Sequence, residues 1–552
     1  MSASILISRL MYKMDGENMA GEEADYIVVG GGSAGCVLAA RLSEDPKVRV
    51  ALVEAGGEST GLMVQMPVGF AKMLVDDRYD WKYWQLPDES IGGRRFIWSG
   101  GRMLGGGSAI NGQVYIRGTR ADFDAWERLG ATGWNFDSLF PYFLRSETWA
   151  GAPNQNHGRQ GPLTVSPMRD PHPLCELFLR ACEQFGLSRL DDYNGGEMEG
   201  AYLTQATQRD GWRCSTEKAY LRDARKRPNL MTVTHAHVDT IIVENGEAVG
   251  IRYRQGDARK ELRARREVIV SSGSMGSPAL LLRSGIGAGD YLQSRGIAVQ
   301  CDRREVGHNL QEHPGITQNK FVSVPTLNSQ VGALDMVRHL AKFFWNKSGP
   351  MGAPAVQAMG LARTRDGLEE PDIQLHFMPL AYNVEPETVS SAEAVMPKEP
   401  CVSINVSLTR PKSRGRVELG EALEPVVNHK LLGDRADVDT LVGAMKLVDR
   451  LFAMPALNAI TLGDRSPDPV PTDDAEWEAY VRAKAMITYH PVGSCRMGSD
   501  PDSVVDPQCR VRGIGRLRVV DASIMPQITS GNTNAATIMI GEKAAELIRT
   551  AA

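Results

Sequence analysis

The stretch from Asp25 to Gly57 constrains this chain more than any other. Tyr26 to Val29 is a short apolar run suited to a buried parallel strand, and it ends in Gly30, Gly32 and Gly35 at G-x-G-x-x-G spacing. Each glycine meets a separate steric demand: Gly30 permits the tight turn, Gly32 lets a pyrophosphate approach the backbone, and Gly35 lets the following helix pack against the strand. Ser33 opens that helix, which breaks near Ser43-Glu44-Asp45-Pro46. Val48 to Val53 then forms a second apolar strand and delivers Glu54, followed by Ala55. A carboxylate at that point accepts hydrogen bonds from a ribose diol. The glycine spacing alone is a weak signal, but strand, turn, helix, strand and acid in this order predict a domain that binds an adenine dinucleotide.

The chain has 552 residues, 42% of them hydrophobic and 23% charged, enough for a large core and two domains. A net charge of −5 gives no electrostatic case for nucleic acid, and the basic runs Arg222 to Arg227 and Arg263 to Arg266 read as solvated faces. The eight cysteines are scattered without C-x-x-C or metal-finger spacing, so no metal site is expected and a reducing, cytoplasmic setting fits. His235 and His237 share a strand face without a third ligand, which reads as structural placement. Residues 1–23 look like an N-terminal extension, and no apolar run approaches the roughly 18 residues of a membrane-spanning helix.

Val238 to Val243 and Ala248 to Tyr253 read as a hairpin across Asn245-Gly246. Val268 to Val270 is another apolar strand; it leads into Ser271-Ser272-Gly273-Ser274 and a helix at Pro278 to Leu282, a second approach of backbone to the dinucleotide. From about 320 to 480 the character changes. Val402 to Leu408 and Arg416 to Leu419 alternate apolar and polar residues, as strands with one buried face do, which predicts an antiparallel sheet. Arg518 to Val520 returns to strand, and Ala535 to Ile548 reads as a helix that rejoins the first domain.

Three further segments can carry chemistry. Gly100 to Asn111, with Arg102, Gly106 and Gly107, is too glycine-rich for a regular element, and its N–H groups can line phosphates or a polar ring edge. Met103-Leu104 and Ala109-Ile110 inside it argue for burial rather than a loose surface loop. His490 stands between Tyr489 and Pro491, and Asn532 and Asn534 follow in Ser530-Gly531-Asn532-Thr533-Asn534. A neutral imidazole can take an alcohol proton near neutral pH, and an amide can hold the same oxygen. Taken singly, each is more often a satisfied structural residue. Tyr79, Trp81, Tyr83 and Trp84 could wall a pocket, with core packing the default reading.

The glycine motif with Glu54, the 101–118 loop, Gly273 to Gly287, His490-Pro491 and Gly531 to Asn534 occur in the order found in glucose-methanol-choline oxidoreductases. Gln311-Glu312-His313-Pro314 and Arg518 to Ser523 also resemble family segments. The resemblance spans residues 24 to 549, and Val114 to Gly118 and Tyr489-His490-Pro491 are most similar to its choline-dehydrogenase-like and bacterial alcohol dehydrogenase branch.

The resemblance implies a Rossmann-like FAD-binding domain, α/β, with a discontinuous α+β substrate domain built on an antiparallel sheet. Residues 24–175, 212–318 and 484–552 would form the first, and 176–211 and 319–483 the second. FAD would be held by Gly30, Gly32, Ser33, Gly35, Glu54 and Ala55, by Arg102, Gly106, Gly107 and Asn111, and by Val238, Asp521 and Asn534. His490 would be the catalytic base and Asn532 its partner, with His376 and Tyr489 on the substrate. Ile110 stands where some members carry the histidine bonded to the flavin, so FAD would be bound non-covalently. The implied reaction is oxidation of a primary alcohol to an aldehyde by hydride transfer to flavin N5. An oxidase that uses O2 and makes H2O2, and a hydroxynitrile-lyase activity, stay open as alternatives. The acceptor, oxygen or a quinone-type molecule, is weighed toward a dehydrogenase. Docking at a membrane surface to reach quinone is compatible with this reading, although no anchor demands it.

Overall fold

A computed structural model describes residues 23–73, 76–382 and 397–551. The glycine motif sits in a seven-stranded sheet with the order Leu230–Val233, Val50–Val53, Glu23–Val29, Ala258–Val270, Glu247–Gln255 and Ala236–Glu244, while Leu517–Val519 also pairs with Ala258–Val270. Glu23–Val29 lies parallel to both Val50–Val53 and Ala258–Val270, and the last two strands of the series are antiparallel additions. The apolar strands are buried on both faces, as parallel strands covered by helices must be.

The helix Ser33–Leu42 follows the glycine turn, and nearly its whole circumference is buried, which explains a sequence of Ala, Val, Leu and Cys rather than an amphipathic stripe. The C-terminal helix Asn534–Ala551 packs along it. A buried carboxylate ties the two together: Glu542 accepts from Arg41 at 2.8 Å, from Arg145 at 2.9 Å and from the Tyr220 hydroxyl at 2.8 Å. Expected solvated cations in the 222–227 run are partly engaged in the same way, Arg222 with Glu217 and Arg225 with Glu58.

The second seven-stranded sheet has the order Thr461–Ser466, Pro314–Val322, Cys401–Leu408, Ile373–Met378, Ala358–Ala362 and Gly200–Leu203, with Met486–Ile487 beside Pro314–Val322, and every pairing is antiparallel. Ile373, Leu375 and Phe377 join Val402, Ile404 and Val406 against the helices Leu174–Phe185 and Arg435–Phe452. The period-two alternation then turns His376, Met378 and Asn405 to the other face, which looks into the space between the two sheets.

Two elements differ from the sequence reading. The strand expected at Val268 to Val270 runs from Ala258 to Val270, because its charged first half pairs with the hairpin strand Glu247–Gln255 and needs no apolar run. The glycine loop contains a short helix, Gly107–Ile110.

Gly30 has φ +103, and a Cβ there would lie 2.5 Å from the Ser271 carbonyl oxygen. A Cβ on Gly35 would overlap the Gly30 carbonyl oxygen. Backbone cannot step aside as a flexible side chain can, so Gly35→Ala is expected to destabilise the fold by about 3 kcal/mol. Denaturant unfolding measures this, and a wild-type midpoint for the variant would contradict the packing described.

Candidate active site

A cavity of about 1080 Å³ lies between the sheets. One end is built from the residues just past the carboxyl ends of parallel strands: Gly30, Glu54, Ser271 and Asp521 follow Glu23–Val29, Val50–Val53, Ala258–Val270 and Leu517–Val519. Ligands in sheets of this type bind at that edge. The helix Ser33–Leu42 points its N-terminus there, with Gly32 at the cap and no side chain on the free N–H groups, so its dipole and donors are left for an anion. A Cβ on Gly32 would meet nothing nearer than 3.9 Å and one on Gly107 nothing within 4 Å, so both backbones border open space. Gly106, with φ +48, lies so close that its Cβ would come within 2.7 Å of Gly32 Cα, which brings the two glycine segments together.

Glu54 is 6% exposed and accepts from the Gly31 and Gly56 N–H groups, each at 2.7 Å. One bond per oxygen leaves each with a free acceptor position. Burial raises its carboxyl above the usual range, against those two N–H bonds. Asp521 is likewise raised by burial while accepting from Gly273 N–H and the Ser277 hydroxyl. Ser33 donates to Asn534 Oδ1 at 2.7 Å, which links the helix start to the C-terminal segment. Open glycine backbone at a helix N-terminus, a ribose-type carboxylate beside it and space beyond fit an adenine dinucleotide.

The opposite end carries the histidines. His490 is 9% exposed, and three groups determine which nitrogen it offers. His313 Nε2 lies 3.2 Å from the Thr409 carbonyl, which can only accept, so His313 carries its proton on Nε2 and leaves Nδ1 as an acceptor. His490 Nδ1 lies 3.0 Å from that Nδ1 and therefore donates to it. The Thr488 hydroxyl, 3.1 Å from His490 Nδ1, donates toward the His313 carbonyl at 2.9 Å. The remaining nitrogen, Nε2, is unprotonated on the cavity wall and accepts from Asn532 Nδ2 at 2.8 Å, a bond that a substrate hydroxyl would replace. This tautomer assignment follows from the bonding network. Asn532 Oδ1 and His376 Nδ1 are buried without a protein partner, the state expected of groups that await a ligand.

Burial, with His313 and His376 nearby, lowers the His490 pKa well below its usual value. Burial also lowers His313 to about 3 and His376 to about 4. All three are neutral at neutral pH. Beneath them Glu312 accepts the backbone N–H groups of His490 at 2.8 Å, His313 at 2.9 Å and Thr488 at 3.3 Å. Burial pushes its carboxyl up to about 8. Tyr489, at φ +63, turns the chain sharply before His490 and lines the cavity beside it.

The structure thus gathers most of the sequence-predicted residues around one space, including Ala55, Asn111, Val238 and His376. Gly35 and Arg102 stand off its wall. Gly35 is packed under the Gly30 turn, and the Arg102 guanidinium lies 5.0 Å from the Trp81 ring centre while the Arg102 backbone N–H donates to the Tyr79 carbonyl. Trp81 and Tyr83, read by default as packing, do line the cavity, as does His237. Sequence reasoning gave no role to Thr409, Thr488 or Arg213. Arg213 is fully buried and holds the Asn111 carbonyl and side chain at 2.8 and 2.9 Å. The proton-holding role of His313, directly after Glu312, would have needed the partner carbonyl at 409, nearly one hundred residues away, to be noticed.

A GMC oxidoreductase family model matches residues 24–315 with its N-terminal part and 411–541 with its C-terminal part. The chain belongs to the GMC oxidoreductase family. It is 37% identical over 535 residues to an alcohol dehydrogenase (acceptor) of Pseudomonas putida, with 95% of each chain covered. To the mitochondrial choline dehydrogenase of Homo sapiens it is 38% identical over 541 residues, covering 96% of this chain and 90% of the relative. An FAD-bearing formate oxidase of Aspergillus oryzae superposes with a TM-score of 0.89 at 26% identity, over 96% and 99% of the two chains. This GMC oxidoreductase is an FAD-dependent enzyme acting on CH–OH groups.

Since Glu312 is neutral below about pH 8 and ionised above it, and only the carboxylate can accept all its surrounding donors, substrate oxidation is expected to rise through that pH to a plateau. Glu312→Gln should remove this limb of the profile. Stopped-flow flavin reduction across pH measures it, and a wild-type profile without a limb there would contradict the coupling.

Proposed function

We propose that this enzyme oxidises an uncharged, largely apolar primary alcohol to its aldehyde, with His490 as base. The observation that carries the reading is the unprotonated Nε2 of His490 on the cavity wall, 2.8 Å from the Asn532 amide. FAD, when bound, would supply the acceptor for the hydride that leaves the alcohol carbon. His490 Nε2 accepts the hydroxyl proton, and Asn532 Nδ2 donates to the alcohol oxygen as negative charge builds there. Once protonated, His490 keeps its Nδ1–H on His313, so the cation forms without rearrangement of its neighbours. His376 and Tyr489 border the space where the alcohol would lie. The GMC family's FAD would sit along Gly30, Gly32, Ser33, Glu54 and Ala55, with Gly106, Gly107 and Asn111 toward its ring.

Met336, Met351, Met378 and Leu380 make the substrate side apolar, and its polar groups, His376, Asn405 and Gln357, are uncharged. Glu54 and Asp521, the carboxylates in the cavity wall among the described residues, stand at the dinucleotide end. With no carboxylate at the substrate end among the described residues to pair a quaternary ammonium group, that distribution favours an alkyl or arylalkyl alcohol. The name of the Pseudomonas putida relative supports a dehydrogenase; within that reading we assign a quinone-type acceptor, and independently of it a cytoplasmic enzyme that meets the bilayer only at its surface. Rapid mixing of reduced enzyme with oxygen or with a soluble quinone checks this assignment. Quinone should win, and fast stoichiometric H2O2 formation would make the enzyme an oxidase.

His490→Ala is expected to keep FAD and fold but reduce its flavin roughly two to four orders of magnitude more slowly, with Asn532→Ala milder. Anaerobic flavin bleaching by alkanols, benzyl-type alcohols, choline and sugars measures both rate and substrate class. A wild-type rate in His490→Ala would remove the base from this mechanism. Ile110 lines the cavity where a linking histidine would stand, so acid precipitation should release all the yellow colour. Flavin retained in the pellet would contradict non-covalent binding.

A further inference from the structure

Most of the large apolar side chains left in the open among the described residues belong to two segments beside the cavity mouth. One contributes Leu62, Met63 and Val68; the other is Val331 with the helix Ala333–Asn346. At roughly 100° per residue, Leu334, Val337, Ala341, Phe344 and Trp345 fall in one stripe along that helix. The stripe faces outward: Leu334 is 75% and Trp345 92% exposed. The opposite side seats Phe343 against Met66 and Met351, which fixes the helix next to the 62–69 segment. Val68, Val331 and Met336 are part of this exposed surface and of the cavity wall at once.

The charges around the stripe are mostly positive. Between 331 and 349 the chain carries Arg338, Lys342 and Lys347 against Asp335, on a protein with a net charge of −5. Arg338 lies 3.8 Å from Asp335, Lys342 pairs with Asp170 at 2.6 Å, and Lys347 rests over the Trp212, Phe343 and Phe344 rings at 5.1 to 5.5 Å. An apolar stripe edged by Lys and Arg is the pattern of a helix that lies in a lipid interface. A second copy of the chain placed symmetrically on this face would bring these cations toward their own equivalents, whereas anionic headgroups complement them.

We propose that this face docks the enzyme on an anionic lipid bilayer, with the cavity mouth against the membrane so that apolar alcohol and quinone-type acceptor enter from the lipid. The delivery of those molecules rests on the function proposed above; docking itself does not require turnover, so the two are tested separately. Holoenzyme is sedimented with vesicles of phosphatidylcholine alone and of phosphatidylcholine mixed with phosphatidylglycerol. Wild type should pellet with the anionic vesicles and be released by salt. The double variant Val337→Asp/Trp345→Asp should bind about tenfold or more weakly, given the apolar area withdrawn from lipid. Arg338→Glu/Lys342→Glu should lose the preference for anionic lipid, and Leu462→Asp, at a position 71% exposed elsewhere on the surface, should bind like wild type. Flavin reduction by a soluble alcohol should be unchanged in all of them, which shows that they are folded and separates a failed surface from a failed mechanism. Wild type that stays in the supernatant, or a Val337→Asp/Trp345→Asp variant that binds as tightly, would overturn the proposal. A wild-type dimer dispersed by Trp345→Asp, with no vesicle binding, would assign the face to self-association instead.

Discussion

The bond from His313 Nε2–H to the Thr409 carbonyl decides what His490 can do. Thr409 follows the strand Cys401–Leu408, His313 directly precedes Pro314–Val322, and His490 follows Met486–Ile487, all strands of the antiparallel sheet. A backbone carbonyl accepts and cannot donate, so with the His313 proton on Nε2 the later bonds follow: His313 Nδ1 accepts, His490 Nδ1 donates, and His490 Nε2 is left as the base. The three groups are thereby held at one end of three adjacent strands, Met486–Ile487, Pro314–Val322 and Cys401–Leu408.

Burial works in two directions around this chain of bonds. It holds His490, His313 and His376 neutral, which keeps a lone pair available at neutral pH, and it raises Glu312 to about 8, which makes the underlying carboxylate the group that responds to pH. A base with a depressed pKa is a weak acceptor on its own. Its strength here comes from partners already oriented for the cation: Nδ1–H toward His313, backbone N–H toward Glu312, and the Asn532 amide beside the oxygen that gains charge.

What could be read from the sequence was local. Gly30, Gly32 and Glu54 announce themselves because turn, cap and acid fall within about two turns of helix and one strand of each other, and the structure places all three on the cavity. His490 and Asn532 were legible through motif resemblance, although their mutual distance was not. His313, Thr409 and Arg213 were invisible in their roles because each acts across a long sequence separation through a backbone carbonyl or an amide, groups that every residue type supplies. The first half of Ala258–Val270 was missed for a related reason: its alternating charges are solvent-facing, and only the partner strand makes it a strand. The outward stripe on Ala333–Asn346 is periodic enough to be seen as a helix, but periodicity cannot say which face meets solvent.

The central claim is that His490 is neutral, protonated on Nδ1 and unprotonated at Nε2. Nitrogen-15 NMR of histidine-labelled holoenzyme at about pH 6, where an unperturbed imidazole would be largely protonated, tests it directly. The resonances that vanish in His490→Ala should show one protonated nitrogen and one bare nitrogen, and the protonated one should be assigned to Nδ1 through its ring couplings. A doubly protonated ring at that pH, or a proton on Nε2, would contradict the account.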